Sequence, residues 1–191
     1  PDRTMEHFAY FTALKSGRLE LKDFPEKPRA GTARQEVLIS SVPGVTQMLA
    51  GLDYLAAYPH GCLEQRMSAL MPQMQIGSAL KRLGLNDHYA LQVGEQVNAL
   101  IEQLKVFQND RGFFAFWPGG EGRVYLTAQA VEFMALARKT NHPVDAGLFD
   151  RSVEALKRVL RSDYVGLRAG YRFNQQTRAI RALTLVGELD E

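Results

Sequence analysis

Residues 58–67 read Tyr-Pro-His-Gly-Cys-Leu-Glu-Gln-Arg-Met, and this stretch predicts the start of a helix. Pro59 and Gly61 interrupt the chain before it, because proline lacks the backbone N–H that a helix needs and glycine favours turns. Apolar residues then recur at the intervals of three and four that put them on one helix face. They are Leu63, Met67, Leu70, Met74, Ile76, Leu80 and Leu83. The pattern predicts a helix from about Cys62 to Leu83, which Pro72 is expected to kink or split.

Helical spacing also dominates the rest of the chain. A short helix is predicted over 45–58, and four more helices are predicted after Gly84. Their predicted limits are Asp87 to about Phe107, Tyr125 to Thr140, Asp145 or Gly147 to about Leu160, and Asn174 or Thr177 to about Val186. No strand-like alternation follows Val42. The pattern therefore indicates about six helices joined by short turns, and neighbours on such short links pack antiparallel.

Residues 1–43 have a different character. They are interrupted by prolines and glycines, and the segments 17–21 and 36–42 read as short candidate strands. Two interpretations stay open for this part. It is either an irregular N-terminal arm or the edge of a β domain.

The composition excludes several classes of protein. With 46% hydrophobic and 23% charged residues, the 191-residue chain is typical of one globular domain, or one domain plus a piece of another. Lys and Arg number 23 against 21 Asp and Glu, so no nucleic-acid-binding surface is indicated. No apolar run reaches the roughly 18 residues of a membrane span. The opening PDRTMEHF carries neither an initiator Met nor signal-peptide features, so we expect a piece of a longer chain.

The single cysteine, Cys62, limits the chemistry that the chain can perform. It excludes an internal disulfide and any zinc site that needs two cysteines, and the four histidines show no helical ligand pair. No metal or cofactor is expected. Cys62 and Gln65 are three residues apart at a helix start, so both side chains lie on one face. A thiolate there, favoured by the helix dipole, can attack the Gln65 carboxamide, and loss of ammonia would leave an internal thioester.

Gly61 allows the close backbone approach that such a ring requires. Free N–H groups at the helix start would stabilise the oxyanion. From these residues alone, an inert and buried Cys62 remains an alternative.

The wider segment resembles a known family. Tyr-Pro-His-Gly-Cys-Leu-Glu-Gln, residues 58–65, is similar to the thioester motif of the α2-macroglobulin and complement family, and Leu63 resembles the bacterial branch. Gly-Phe-Phe-Ala-Phe-Trp-Pro-Gly-Gly at 112–120, followed by Tyr-Leu-Thr-Ala at 125–128, resembles a second signature of the same domain. The strand 36–42 running into Leu-Asp-Tyr-Leu at 52–55 resembles a third.

The resemblance implies an all-α fold, an α/α-toroid of helical hairpins. Residues 44–191 would supply about half of this thioester domain. Residues 1–43 would form a short β segment or linker of an adjacent β-sandwich, CUB-like domain. A partial toroid is expected to expose apolar helix faces.

The implied function is a broad-spectrum endopeptidase inhibitor, not an enzyme. An attacking peptidase cuts a bait region elsewhere in the parent chain, and a lysine amine of the peptidase then attacks the Gln65 carbonyl while Cys62 leaves as a thiol. The implied partners are therefore the peptidase and the rest of the parent chain, with no nucleic acid. The implied location is the periplasm, where the parent would be an inner-membrane lipoprotein that acts in host defence.

Further residues of the motif have supporting roles in this interpretation. His60 is a candidate base, although the interpretation as a turn residue is favoured. Glu64 either accepts hydrogen bonds from free N–H groups of the helix or favours its dipole. A thioester must be kept dry, which large aromatic side chains would do. The local candidates are Tyr54, Tyr58, Phe113, Phe114, Phe116, Trp117 and Tyr125.

Two other classes of function stay open at this stage. One is an enzyme, with a Cys62–His60 nucleophile pair or a toroid of the terpene-cyclase type. The other is a helical interaction module in which Cys62 is inert.

Overall fold

The computed structural model describes residues 61–82, 87–161, 164 and 170–189. All of them belong to one compact unit, Ser40–Glu191. The predicted β segment 1–43, the boundary between 43 and 44, the helix over 45–58, Tyr58 and His60 lie outside the described residues. Those expectations stay predictions.

The described residues form five α-helices, and the all-helical prediction is confirmed for them. The helices are α1 Leu63–Arg82, α2 Asp87–Gln103, α3 Val124–Lys139, α4 Ala146–Val159 and α5 Arg172–Leu185. A 3-10 turn, Leu104–Val106, continues α2. Over the described ranges no strand occurs, apart from one isolated bridge between Gln108 and Phe114. None of the described helices is long and apolar enough to cross a membrane.

Pro72 does not split the first helix, and the alternative expectation, a kink at Pro72, stays a prediction. Helix α1 is continuous from Leu63 to Arg82 with Pro72 inside it. An interior proline costs about 3 kcal/mol, because it removes one hydrogen bond and crowds the preceding turn. Here the residues on both sides are buried, with Leu70 7% and Met74 3% exposed. Burial of a large aliphatic side chain stabilises by about 1.5–3 kcal/mol, so two such side chains are enough to keep the helix continuous.

Helix α3 contacts more of the other helices than any other described helix does. Helix α3 contacts α1, α4 and α5, while α2 packs on α1 and α4 packs on α5. Alternate helices, α1, α3 and α5, are therefore neighbours, which is the arrangement expected of stacked hairpins. Fully buried side chains from all five helices and the loop before α3 form the core; the largest include Phe114, Phe133, Met67, Leu100, Leu126, Leu156 and Leu183.

Helix α5 and the residue before it carry apolar side chains that the described part of the chain leaves largely exposed. Phe173 is 84%, Tyr171 65%, Leu185 60% and Ile180 46% exposed. The expected exposure of apolar helix surface is found on this element. Its opposite side is buried through Ala179, Ala182 and Leu183.

Residues 107–123, here called the aromatic loop, connect α2 to α3 and hold the start of α1. The Asn109 side-chain oxygen accepts the backbone N–H groups of Arg111 and Phe113, both at 3.0 Å, which closes the turn. Gly112 has φ 82°, and a Cβ there would lie 2.3 Å from the Arg151 carbonyl oxygen. Only glycine fits this position, because other residues rarely adopt positive φ and the backbone of α4 leaves no space.

The loop is also fastened to α4 by partly buried hydrogen bonds of Gln108. The Gln108 amide nitrogen donates to the Leu148 carbonyl at 3.1 Å and to the Ser152 hydroxyl at 2.9 Å. These bonds fix the first residues of the loop, while Phe116, in its middle, contacts α1.

Candidate functional site

The candidate site is built around the first turn of α1. The helix begins at Leu63, so Cys62 directly precedes it and Gln65 is its third residue. This is the placement that the spacing predicts. Gly61 is buried, Cys62 is partly buried and the Gln65 side chain is exposed.

The side chain of Gln65 folds back onto Cys62. The Cys62 backbone N–H donates to the Gln65 side-chain oxygen at 3.1 Å, and the Cys62 carbonyl accepts the Arg66 N–H at 3.1 Å. A glutamine that reaches back to the residue before the helix forms half of a capping box. The residue before the helix is usually Ser or Thr in that motif, whereas here it carries a thiol. A nucleophile and a polarised carboxamide therefore share one turn.

Gly61 leaves the space that Gln65 occupies. A Cβ at Gly61 would lie 3.0 Å from the Gln65 Cβ and 3.3 Å from its side-chain oxygen. Both distances are tighter than ordinary van der Waals contact. Any larger residue at 61 would therefore push Gln65 away from Cys62.

The aromatic loop binds the same turn from outside the helix. The Phe116 carbonyl accepts the Leu63 N–H at 3.1 Å, so one of the N–H groups that a helix start leaves free is satisfied by tertiary contact. The Phe116 ring also packs against Tyr125 of α3, with 5.8 Å between ring centroids and 60° between ring planes. This geometry is typical of a tilted aromatic pair.

Helix α3 lies against α1 through a polar contact one turn beyond Tyr125. The Gln129 amide nitrogen donates to the Ser68 hydroxyl at 2.8 Å and to the Glu64 carbonyl at 3.4 Å. Gln129 was not among the sequence candidates. The only signal for it is its position four residues after Tyr125, which puts both on one helix face.

The pKa of the Tyr125 phenol depends on burial and on charged groups near the first turn of α1. Burial raises the pKa of Tyr125, and the negative charges of Glu64 and Cys62 raise it further, while Arg123 and Arg178 lower it. The Arg178 guanidinium, on α5, lies 5.9 Å from the Tyr125 ring centroid. The sequence alone suggests a solvated charge at Arg178, and only the contact of α5 with α3 reveals its position.

A cleft of about 340 Å³ borders Tyr125 and Phe116. Its walls come from the aromatic loop, the start of α3, the start of α5 and Tyr164. The lining residues are Phe113, Phe116, Glu121, Gly122, Arg123, Val124, Tyr125, Tyr164, Tyr171 and Gln175.

The remaining candidates from the sequence differ in burial. Glu64 is partly buried in the first turn of α1, where its negative charge acts on the Tyr125 phenol. Phe113 and Phe114 are core residues, at 6% and 0% exposure, whereas Trp117 is 58% exposed. A shielding role of Trp117 stays a prediction. No group of three or more His, Cys, Asp or Glu side chains in the described ranges is placed to hold a metal ion.

Comparisons with known proteins agree with this geometry. Residues 33–160 match the family model of the A-macroglobulin TED domain. The chain is similar to alpha-2-macroglobulin of Escherichia coli strain K12, with 31% identity over 131 residues, 68% of this chain and 8% of that protein. The chain thus spans less than a tenth of the length of that relative.

Solved structures show the same fold. The crystal structure of native E. coli alpha-2-macroglobulin from domain MG7 to the C-terminus matches with a TM-score of 0.64 and 28% identity, over 75% of this chain and 24% of that one. Salmonella alpha-2-macroglobulin reacted with methylamine matches with a TM-score of 0.64 and 27% identity, over 75% of this chain and 10% of that one. The helices described above are therefore part of an α/α-toroid, and the chain belongs to the α2-macroglobulin thioester-domain family, in its bacterial branch.

Proposed function

We propose that this chain is the reactive part of a peptidase inhibitor that couples attacking peptidases covalently through a thioester between Cys62 and Gln65. The observation that carries the proposal is the 3.1 Å hydrogen bond from the Cys62 N–H to the Gln65 side-chain oxygen. That bond brings the carboxamide to the residue that bears the thiol. It also polarises the carbonyl in the direction that nucleophilic attack requires.

The thioester would form by acyl transfer within one turn. The Cys62 sulfur bonds to the Gln65 carboxamide carbon, the carbon–nitrogen bond breaks, and ammonia leaves with the proton of the thiol. Negative charge develops on the Gln65 oxygen during attack, where the Cys62 N–H already donates. The positive end of the α1 dipole favours the same charge.

Capture of a peptidase would reverse the exchange with a different amine. A lysine amine of the peptidase bonds to the Gln65 carbon, and Cys62 leaves as a thiol. The site reacts once and is not regenerated, so the activity is inhibition and not turnover. The peptidase and the rest of the parent chain, with its bait region, are the proposed partners.

Water is the competing nucleophile. Phe116 and Tyr125 support a shielded site, because their rings pack together beside the first turn of α1. Of the other aromatic candidates, Tyr54 and Tyr58 lie outside the described residues, and their part in shielding stays a prediction. The same holds for His60 as a base.

The proposed location is the periplasm, with the parent chain anchored to the inner membrane as a lipoprotein in a host-defence role. A trap for peptidases that attack from outside is useful only where it meets them. Fractionation of cells that produce the protein at its natural length tests this directly. Recovery in the cytoplasmic fraction would contradict the location without affecting the chemistry.

Methylamine tests the chemistry, since Salmonella alpha-2-macroglobulin is described as reacted with it. In the protein at its full natural length we expect no free thiol at Cys62 until methylamine is added, and then release of one thiol with one methylamine bound at Gln65. Cys62→Ala is the control and should bind none. A Cys62 thiol that titrates at once in the folded protein would contradict the proposal. An inert cysteine would instead titrate only on unfolding.

A further inference from the structure

Arg66 lies next to both reacting groups in the first turn of α1. It follows Gln65 directly, and its backbone N–H donates to the Cys62 carbonyl at 3.1 Å. Residues three and four positions further along a helix are neighbours on its surface, so Gln65 and Arg66 both flank Cys62. The side chain of Arg66 is therefore close enough to influence a reaction between the other two.

The stem of Arg66 and the Gln65 carboxamide share the space beside Gly61. A Cβ at Gly61 would lie 3.3 Å from the Gln65 side-chain oxygen and 3.6 Å from the Arg66 Cγ. Both side chains therefore cover the same side of this glycine. The guanidinium, three bonds beyond Cγ, is no farther from the Gln65 oxygen than about one Debye length, roughly 10 Å at 0.1 M salt. Its charge consequently acts on that oxygen.

The positive charge of Arg66 is not compensated by its partner. A guanidinium nitrogen donates to the Gln103 side-chain oxygen, at the end of α2, at 2.9 Å, and this amide is neutral. Among the residues that the structure describes, no carboxylate pairs with Arg66, in contrast to Arg123, which pairs with Glu121 at 2.7 Å. Burial lowers the pKa of the Arg66 guanidinium, yet an arginine stays protonated at physiological pH.

Glu64 carries the opposite charge in the same turn, but it interacts with a different helix. The negative charge of Glu64 acts on the Tyr125 phenol of α3, whereas the Arg66 guanidinium binds α2. The Gln65 side chain between them is exposed. A nucleophile that reaches Gln65 from the α2 side therefore meets a positive charge.

We propose that the Arg66 charge selects among the primary amines that attack the thioester, favouring an amine with a negatively charged neighbour over one with a positively charged neighbour. On a peptidase, the favoured nucleophile is a lysine beside Asp or Glu. Gln103 is the positioning residue that holds the guanidinium. The inference rests on the proposed thioester and deepens it, because it names the class of amine.

The reaction step is sensitive to the same charge. The amine nitrogen bonds to the Gln65 carbon, the carbon–sulfur bond breaks, and the electron pair passes to the Cys62 sulfur. The proton that the nitrogen loses ends on that sulfur. Negative charge develops on the Gln65 oxygen and then on the sulfur, and a nearby positive charge stabilises both. Arg66 therefore favours attack by any amine, and attack by an anionic one most.

Gln103→Glu in the protein at its full natural length tests the proposal, because it sets a carboxylate of nearly the same shape against Arg66. The measurement is the rate of thiol release with ethylamine, with glycine, whose carboxylate is negative, and with (2-aminoethyl)trimethylammonium, whose charge is positive. Each variant is compared with wild type for the same amine, so differences in intrinsic reactivity cancel. Relative to ethylamine, we expect glycine to slow and the trimethylammonium compound to accelerate, each about threefold, as for unit charges several Å apart in water.

Three further measurements separate the charge of Arg66 from its packing. Arg66→Gln should shift the two relative rates as Gln103→Glu does, whereas Arg66→Lys should keep the wild-type preference. At about 1 M salt, where the Debye length falls to about 3 Å, wild type and Gln103→Glu should show the same preference. Lys139→Gln is the matched control, because it removes an exposed positive charge at the other end of α3, roughly 20 Å along the helix from Tyr125. It should change no rate.

The possible outcomes separate this inference from the proposed function. If wild type takes up the amines and Gln103→Glu leaves their relative rates unchanged, the inference is overturned and the thioester stands. Equal losses with all three amines would also overturn it, because they would indicate a general disturbance of the site. So would an equal shift in Lys139→Gln, or loss of the preference in Arg66→Lys. If wild type shows neither a blocked thiol nor amine uptake, the proposed function fails first and this inference fails with it.

Discussion

Helices α1 and α4 begin in opposite ways. At α4, Asp145 precedes the helix and its side chain accepts the Leu148 N–H at 2.6 Å, an ordinary N-cap. At α1, the side chain inside the helix reaches back, from Gln65 to the Cys62 N–H. A thiol is a weak acceptor, so Cys62 caps poorly. The Leu63 N–H is satisfied instead by Phe116 from the aromatic loop.

Under the proposed function, the difference marks a place where local stability is given up for chemistry. The start of α4 is held by its own neighbours in sequence, whereas the start of α1 depends on a contact from more than fifty residues away. That dependence is what we expect of a reactive turn, whose geometry must be set by the surrounding fold. Substitutions at the two helix starts test this difference.

Substitution of Cys62 has the largest expected effect. Cys62→Ser and Cys62→Ala should both abolish methylamine uptake, since neither side chain forms a thioester. The two should differ in capping, because a serine hydroxyl accepts an N–H of the first turn and alanine does not. Hydrogen exchange at the Gln65 amide should be slower in the serine variant, by a free energy of about 1 kcal/mol. Equal exchange in both would show that Cys62 does not occupy a capping position.

Gly61→Ala should reduce thioester formation at least tenfold. The added methyl group would lie 3.0 Å from the Gln65 Cβ, so Gln65 must move away from Cys62. The fraction of chains with a blocked thiol measures the effect. Gly147→Ala, at the start of α4, is the matched control, because its Cβ would meet its nearest neighbours at 3.5 Å, an ordinary contact. A Gly61→Ala protein with a fully blocked thiol would refute the steric reason given for this glycine.

Asp145→Ala should affect only the start of α4. Loss of the cap costs about 1 kcal/mol, which faster hydrogen exchange at the Leu148 amide would report. Methylamine uptake should be the same as in wild type. A change in uptake would mean that the two helix starts are coupled and do not behave independently.

The smallest expected effect is on the pH dependence of stability, through His142 in the loop that leads into α4. Burial lowers the pKa of His142, whose ring nitrogen lies 2.8 Å from the Asn98 side-chain oxygen. The folded state therefore binds fewer protons at this residue than the unfolded state. Its contribution to stability is complete above about pH 6.5 and decreases as the pH falls through that value. Stability of the toroid unit between pH 5 and 7.5 should be less pH-dependent in His142→Gln, and an identical profile would contradict this.

The features that the sequence predicts are the local ones. Periodicity places the four described helices after the α1–α2 link within a few residues, and the spacing of Cys62 and Gln65 puts both on one turn. Asp145 is one of the two predicted starting residues of α4, since its cap involves a neighbour three residues away. The family resemblance likewise rests on short segments, 58–65 and 112–128.

What the sequence does not predict depends on contacts between distant residues. The sequence indicates a helix interruption at Pro72, because the energetic cost of an interior proline is a local property. The burial of apolar side chains that outweighs this cost comes from tertiary packing. The contacts of Phe116 with Leu63 and of Gln129 with Ser68 join residues 53 and 61 positions apart. No periodicity encodes such pairs. They determine which parts of the aromatic loop and of α3 lie beside the first turn of α1.

The central claim is that the capping turn of α1 is also a covalent ring. The most direct test is the mass of the peptide that contains both Cys62 and Gln65, isolated under mild acid from the protein at its full natural length. We predict a mass lower by one ammonia than the mass calculated from the sequence. After treatment with methylamine, the peptide should gain the mass of one methylamine at Gln65, and Cys62 should carry a free thiol. The full sequence mass, with an unmodified thiol and carboxamide in the untreated native protein, would contradict the account.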